Sequence, residues 1–514
     1  MSRFALIFLL GLLAACGFAP LELWPLALAS FAGLAALLDR AATLRRAAAL
    51  GWWFGLGSFV LGLNWIATAF TYQAAMPAWL GWVAVVLLSL YLAIFPAFAT
   101  GLAWWLARRR RTTGPLVVAL AGTWIANEWL RATVFTGFAW NPVAAIWAPV
   151  WSVASLAAWV GTYGLSGLTL LASGGLLLLA RLLWRSFAQA DPAQRRGRAV
   201  VLGAVAGAIA FALGSLLFGL SQVLPPPGHG PLVHIVQPNI GQEQKWSPGQ
   251  EGRNFAKLAA LSGRPGARPR LVLWPEVAVP DLLEEDPLAR RRIAALLGPR
   301  DLLVTGAEAV QYGPEGQLVS ATNSVFGLSP QARLLGRYDK SHLVPYGEYL
   351  PMRPLLSRLG LSRLAPGDID FLSGPGPRNL MLPGVGKMGV QVCYEIIFSG
   401  RVIDRRDRPR FLFNPSNDAW FGRWGPPQHL AQARLRAIEE GLPVVRATPT
   451  GISAVIDAHG RLLAQLPWRT AGALELPLPD ALVPPLFARA GNWLPLLLGL
   501  VLAAIGFAWS RVPR

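Results

Sequence analysis

The chain has 514 residues, of which 54% are hydrophobic and 14% are charged, and its mean hydropathy is +0.43. This balance excludes a single soluble globular protein. The formal charge of +19 comes almost entirely from arginine, and because the arginines lie beside long apolar runs, they favour a role in membrane topology over nucleic-acid binding.

Eight apolar segments predict about eight transmembrane helices. They cover residues 4–18, 23–38, 49–69, 79–107, 115–134, 152–181, 199–220 and 490–510. The first two are short and are joined through Phe18-Ala19-Pro20, which is typical of a tight helical hairpin. An alternative for the N-terminus is a lipoprotein signal peptide that ends at Cys16. The apolar run continues without a polar start, which favours a first helix with Cys16 packed inside it.

The loops between these segments alternate in charge. Arginine clusters follow the second, fourth and sixth segments and end the chain, whereas loop 70–78 carries no charge. By the positive-inside rule both termini are cytoplasmic and the long segment 222–489 lies on the outer face. We therefore expect a membrane domain over 1–221, a soluble domain over 222–489, and a last helix with a cytoplasmic tail over 490–514.

Segment 222–489 has a different pattern, in which short β-like runs alternate with helical patterns. The predicted strands are Leu232–Gln237, Leu271–Trp274, Leu302–Thr305, Ser320–Leu328, Leu334–Tyr338, Gly389–Cys393, Phe411–Asn414, Val444–Thr448 and Ala454–Asp457. The predicted helices include Asn254–Leu261 and His429–Glu440. Strands that alternate with helices, together with paired strands, predict a layered α/β domain.

Three stretches place a reactive side chain at the end of a predicted strand. Glu276 follows Trp274-Pro275, whose apolar walls would raise the pKa of the carboxyl towards that of a general base. Lys340 is one of four lysines in an arginine-rich chain, and its ammonium can stabilise an oxyanion. Cys393 can act as a nucleophile. Singly, these residues also fit a surface glutamate, a solvated lysine and an inert buried thiol, but together they predict one active site.

The order and local sequences of Glu276, Lys340 and Cys393 resemble the nitrilase (carbon–nitrogen hydrolase) superfamily. The resemblance implies an αββα sandwich and a Glu-Lys-Cys triad. In that triad Glu276 is the base, Lys340 stabilises the tetrahedral intermediate and Cys393 is the acylated nucleophile. It also implies that Glu348 supports the lysine and the substrate. The further supporting or substrate-binding positions are Tyr394, Glu395 and Trp246.

Eight helices with a nitrilase-like domain inserted before the last resemble the apolipoprotein N-acyltransferase family over essentially the whole chain. The matching motifs include Gly17-Phe18-Ala19-Pro20, Trp124 with Glu128 and Arg131, Lys245-Trp246, and the run from Asn414 to Phe421. The resemblance implies an enzyme of the bacterial inner membrane. It would N-acylate the diacylglyceryl-cysteine of apolipoproteins, the last step of lipoprotein maturation, with a membrane phospholipid as the acyl donor. We expect ping-pong transfer through a thioester on Cys393, a monomer, and neither a cofactor, a metal nor nucleic acid.

Two other classes of protein stay open on the residues alone. A membrane-tethered amidase would use the same three residues to hydrolyse a carbon–nitrogen bond, although one anchor helix would suffice for it. A transporter or scaffold would carry charges along its membrane helices, and the second to seventh predicted helices contain very few.

Overall fold

The computed structural model describes residues 3–72, 77–108, 113–188, 230–245, 247–359, 363–364 and 370–512. The chain groups into two compact units. One comprises 1–62, 88–226 and 490–514, and the other comprises 63–87 and 227–489.

Helices make up most of the described N-terminal half. They are α1 Arg3–Ala15, α2 Trp24–Leu38, α3 Leu44–Gly62, α4 Ile66–Ala69, α5 Leu80–Leu92, α6 Ile94–Ala107, α7 Thr113–Arg131, α8 Trp151–Ala154 and α9 Ala157–Ala188, with a 3-10 turn at Val143–Trp147. The predicted segment 49–69 is divided between α3 and α4, and the predicted segment 199–220 lies outside the described residues. Among the described residues, two helical stretches, Leu80–Ala107 and Ala157–Trp184, are long and apolar enough to cross a membrane.

Glycines bring pairs of these helices into close contact. A Cβ atom on Gly57 of α3 would lie 2.2 Å from the carbonyl oxygen of Phe8 in α1. A Cβ on Gly122 of α7 would lie 2.5 Å from the carbonyl oxygen of Gly499 near the C-terminus. Only a residue without a Cβ fits at either position. Small residues at helix contacts are typical of packing inside a membrane.

In the second unit, the described strands form two six-stranded mixed sheets. They are β1 Leu232–Gln237, β2 Arg270–Leu273, β3 Leu302–Tyr312, β4 Leu318–Leu328, β5 Leu334–Asp339, β6 Asn379–Leu382, β7 Gly386–Val390, β8 Phe411–Pro415, β9 Val444–Ala447, β10 Ala454–Ile456, β11 Leu462–Gln465 and β12 Gly472–Pro477. The sheet orders are β12-β1-β2-β3-β4-β5 and β11-β10-β9-β8-β7-β6. Each sheet has three parallel strands at its centre, β1 to β3 in one and β7 to β9 in the other, flanked by antiparallel strands.

Helices cover these sheets and complete the α/β domain. The described helices of this unit are α10 Gln242–Lys245, α11 Glu251–Ser262, α12 Pro287–Ala294, α13 Arg353–Leu356, α14 Gly425–Glu440 and α15 Leu486–Ala490. The last helix, α16 Trp493–Trp509, belongs to the other unit. Leu258 of α11 and Ile293 of α12 pack with the buried Trp274 against the first sheet. Helix α14 is almost wholly buried. It is followed by Gly441, whose left-handed φ of 60° caps the C-terminal end of the helix. The prediction of a layered α/β domain is confirmed.

Within the second unit, segment 63–72, which contains α4, packs on the 3-10 turn Asp418–Phe421 through aromatic rings. The ring of Trp65 lies 4.8 Å from that of Phe421, edge to face, and the ring of Tyr72 lies 5.7 Å from that of Trp420. Such contacts add about 1 kcal/mol each beyond the burial of area. Gly422 has a φ of 55°, and a Cβ on it would lie 2.6 Å from Thr68 Oγ1. Segment 63–72 therefore fixes the 3-10 turn Asp418–Phe421.

Candidate active site

Three chain segments bring the predicted site residues to one region of the second unit. Glu276 follows β2 and Lys340 follows β5 directly, both in the first sheet. The predicted strand Gly389–Cys393 is wrong in its extent, because β7 ends at Val390 and Cys393 begins a 3-10 turn, Cys393–Ile397. The cause is local: Cys393 has a φ of 51°, a left-handed conformation that a strand cannot contain and that a non-glycine residue adopts at a cost of about 1 kcal/mol or more.

The ammonium group of Lys340 lies between two carboxylates. Its Nζ is 2.8 Å from Oε1 of Glu348 and 3.7 Å from Oε1 of Glu276. All three side chains are buried. Burial alone would lower the pKa of Lys340, but Glu348 and Glu276 outweigh it and raise that pKa above its usual value. Lys340 is therefore a permanent cation.

Asn323 of β4 links the two carboxylates. Its Nδ2 donates to Oε1 of Glu276 at 2.7 Å and to Oε1 of Glu348 at 3.1 Å. The other oxygen of Glu276 accepts a hydrogen bond of 2.6 Å from the backbone N–H of Asn417. Sequence reasoning missed Asn323. The available signal was a strongly polar residue inside the predicted strand Ser320–Leu328, a position that favours apolar or β-branched residues.

The thiol of Cys393 is buried, and the charges of Glu276 and Lys340 both act on it. Burial raises the pKa of this thiol well above its usual value; the carboxylate of Glu276 raises it further and the ammonium of Lys340 lowers it. The thiol is therefore protonated at neutral pH and needs a base before it can attack. The carboxylate of Glu276 acts on this thiol electrostatically and is the candidate base.

Glu395 joins the lysine segment to the cysteine segment. Its carboxylate accepts hydrogen bonds from the backbone N–H groups of Ser341, His342 and Val392 at 2.8, 3.0 and 2.7 Å, and from the hydroxyl of Tyr338 at 2.9 Å. Tyr394 packs edge to face on Phe398, with 5.1 Å between ring centroids. Trp246 lies outside the described residues.

A buried polar network lies behind Cys393. His429 Nε2 is 3.1 Å from the carbonyl oxygen of Cys393, and His429 Nδ1 is 2.9 Å from a guanidinium nitrogen of Arg446. Burial and the charge of Arg446 lower the pKa of His429 to about 4, so its ring is neutral. A neutral ring that donates from Nε2 to the carbonyl must accept at Nδ1, which fixes the tautomer. This network holds the backbone of Cys393 in its left-handed turn.

The arrangement supplies the groups needed for acyl transfer. A buried carboxylate can take the proton of the thiol, and a permanent ammonium beside it can stabilise a developing oxyanion. The structure therefore brings Glu276, Lys340, Cys393 and Glu348 into one buried cluster, as the family resemblance implies.

Two family models match stretches of this chain. Residues 10–175 match the family described as apolipoprotein N-acyltransferase N-terminal domain, and residues 232–481 match the family described as carbon-nitrogen hydrolase. Among solved structures, a mutant amidase of the nitrilase superfamily from Nesterenkonia is 22% identical, with a TM-score of 0.34, over 50% of this chain and 94% of that chain.

Two bacterial proteins match this chain over nearly its whole length. The apolipoprotein N-acyltransferase of Rhodopseudomonas palustris is 35% identical over 512 residues, which is 96% of this chain and 92% of that protein. The apolipoprotein N-acyltransferase of Brucella melitensis is 34% identical over 524 residues, which is 97% of this chain and 94% of that protein. At this identity over nearly the whole length, the chain belongs to the apolipoprotein N-acyltransferase family.

Proposed function

We propose that this chain transfers an acyl group from a membrane phospholipid to the α-amine of the diacylglyceryl-cysteine that begins an apolipoprotein. Membership of the family over the whole length supports N-acylation. The observation that carries the mechanism is the buried cluster of Glu276, Lys340 and Cys393, in which two charges act on one thiol.

In the first half of the reaction Glu276 takes the proton of Cys393, and the thiolate attacks an ester carbonyl carbon of the phospholipid. The carbonyl oxygen gains negative charge, which Lys340 stabilises. The carbon–oxygen bond then breaks and the departing oxygen takes the proton from Glu276. The products are a thioester on Cys393 and a lysophospholipid.

In the second half the amine nitrogen of the apolipoprotein attacks the thioester carbon. Glu276 takes a proton from that nitrogen and returns it to the sulfur when the carbon–sulfur bond breaks. An amide forms and the thiol of Cys393 is restored. The acyl group is bound covalently to Cys393 after the first substrate reacts and before the second one does, so the kinetics are ping-pong.

The supporting residues position this machinery. Glu348 fixes the ammonium of Lys340, and Glu395 joins the segments that carry Lys340 and Cys393. The family resemblance assigns Tyr394 and Trp246 to substrate binding. A monomer suffices for these roles, because they all come from one chain.

We place the enzyme in the bacterial inner membrane with about eight helices and both termini in the cytoplasm. Under this proposal residues 1–221 form the membrane domain, residues 222–489 form the catalytic domain in the periplasm, and residues 490–514 supply the last helix and the tail. The apolar helices and the glycine contacts between them support it. Both substrates are lipids whose chains leave the bilayer at a cost of about 0.8 kcal/mol per CH₂, so the site must lie near the headgroups.

The test is detection of the thioester. The purified chain is incubated with a defined phospholipid, and its intact mass is compared with that of Cys393→Ala. We expect a hydroxylamine-labile acyl adduct on the unsubstituted chain only, discharged by a diacylglyceryl-cysteine peptide. A folded chain that forms no adduct but releases ammonia or an amine from amides would instead be an amidase.

A further inference from the structure

A second lysine, Lys245, lies beside the proposed base. It ends helix α10, and its Nζ donates to the backbone carbonyl oxygen of Glu276 at 3.1 Å. The same helix is tied to Asn417, whose Nδ2 donates to Oε1 of Gln242 at 2.8 Å. The backbone N–H of Asn417 also donates to the carboxylate of Glu276. Asn417 therefore connects the helix that ends at Lys245 to the proposed base.

The charges around Lys245 differ from those around Lys340. Lys340 is held by carboxylate oxygens at 2.8 and 3.7 Å, and Lys245 donates a hydrogen bond to a neutral carbonyl oxygen, that of Glu276. Burial lowers the pKa of Lys245 to about 8, against the opposing charges of Glu276, Glu308 and Cys393. Glu308 stands directly opposite Asn323 in the β3–β4 register, on the face of the sheet that carries the site. Lys245 can therefore lose its proton, and Lys340 cannot.

Lys245 also borders a small cavity that leads away from the site. The cavity holds about 20 Å³, and its walls include Lys245, Glu276, Glu251 and Asn254. This volume suits one water molecule with polar partners. Glu251 is exposed at the start of α11. Lys245 and the exposed carboxylate of Glu251 thus line the same cavity.

The two halves of the proposed reaction differ by one proton. In the first half, the proton that leaves the thiol ends on the lysophospholipid, and no proton remains. In the second half the acceptor arrives as an ammonium ion, because α-amino groups have pKa values of about 8. Its nitrogen loses two protons on becoming an amide. One restores the thiol of Cys393 through Glu276, and the other must go elsewhere.

We infer that Lys245, in its neutral form, accepts this surplus proton from the ammonium of the acceptor and passes it through the cavity towards Glu251. This inference rests on the proposed acyl transfer. It assigns the two lysines of the site separate roles: Lys340 stabilises negative charge in both halves, and Lys245 serves the second half alone.

The experiment separates the two halves and uses two nucleophiles. The full chain, Lys245→Met, Lys245→Arg and the exposed-lysine control Lys257→Met are each loaded with acyl groups from a defined phospholipid. The acyl-enzyme is then mixed at pH 7 either with a diacylglyceryl-cysteine peptide, whose amine is charged, or with hydroxylamine, which is neutral. Intact mass follows the loss of the adduct with time.

We expect both Lys245 variants to load at a rate close to that of the unsubstituted chain. Discharge by the peptide should slow by about 100-fold, the usual size of a proton-transfer contribution, and should recover as the pH rises above 8. Discharge by hydroxylamine should be unchanged. Arginine retains the positive charge but cannot lose its proton, so Lys245→Arg should behave as Lys245→Met does.

Other results would overturn the inference. If both nucleophiles discharge the variants equally slowly, Lys245 only supports the structure. If Lys245→Arg discharges to the peptide at the unsubstituted rate, a fixed charge is what the site needs. If the unsubstituted chain forms no adduct, the proposed function itself fails and the inference fails with it; a normal adduct with normal discharge in every variant removes the inference alone.

Discussion

Glu348, and not the proposed base, holds the ammonium of Lys340 most closely, with 2.8 Å between Nζ and Oε1. Glu276 lies 3.7 Å from the same nitrogen and so stays available to the thiol. The site thus separates its carboxylates into one that fixes a cation and one that moves a proton.

Replacing Glu348 by glutamine should therefore leave the ammonium group of Lys340 less firmly held and less able to stabilise the oxyanion. The buried ammonium would lose a charged partner, which costs about 3 kcal/mol of unfolding free energy. We expect a lower thermal midpoint in detergent and adduct formation slowed by about 100-fold. The exposed Glu315→Gln is the matched control and should change neither measurement.

Replacing Glu276 by glutamine should make the thiol of Cys393 more acidic and yet slow the reaction. The carboxylate raises the pKa of Cys393, so its removal should lower that pKa. The extent of alkylation by iodoacetamide can be measured by intact mass at a series of pH values. Alkylation should begin at lower pH in this variant than in the unsubstituted chain. Adduct formation from phospholipid should nevertheless fall by about 100-fold or more, because no base remains. An unchanged adduct rate would show that another group takes the proton.

Asn323→Asp should be more damaging than Asn323→Ala. Alanine removes two hydrogen-bond donors, whereas an ionised aspartate also places a third carboxylate beside Glu276 and Glu348. Like charges in one buried site disfavour ionisation. We expect a shift of the pH profile of adduct formation to higher pH for Asn323→Asp only. Coincident profiles of the two variants would contradict this account.

Glu440, at the end of α14, should make stability depend on pH. Burial and the adjacent Glu439 raise the pKa of Glu440 from 4.5 to about 7. Because the folded pKa exceeds the unfolded value, the stabilisation is complete below pH 4.5 and is lost as the pH rises through 7. The loss is about 3 kcal/mol. The thermal midpoint should fall between pH 5 and 8, and Glu440→Gln should flatten that fall; an equal slope in the variant would exclude Glu440 as the cause.

The central strands could be predicted from sequence because burial on both faces gives continuous apolar runs. Strands β2, β8 and β9 are buried along their whole length and were all predicted to within two residues. Strands β11 and β12 lie at sheet edges and alternate between more and less exposed residues, so they lack such a run and were missed. Strand β6, also at an edge, was missed for the same reason.

The candidate site was predictable where a residue type is chemically distinctive. Glu276, Lys340 and Cys393 carry reactive groups after recognisable strands, and the family resemblance joined them. Asn323 could not be found in this way, because an amide acts here through the partners that the β3–β4 pairing gives it. The left-handed turn at Cys393 depends on contacts from distant segments, such as His429, which local sequence does not contain.

The aromatic contacts of segment 63–72 join two parts of the chain that are synthesised far apart in time. Trp65 and Tyr72 emerge from the ribosome long before the 3-10 turn that contains Trp420 and Phe421, so this turn meets aromatic partners that have already been synthesised. The backbone N–H that binds Glu276 belongs to Asn417, just before that turn. An unfinished chain therefore lacks this hydrogen bond to the proposed base until residue 417 has been synthesised.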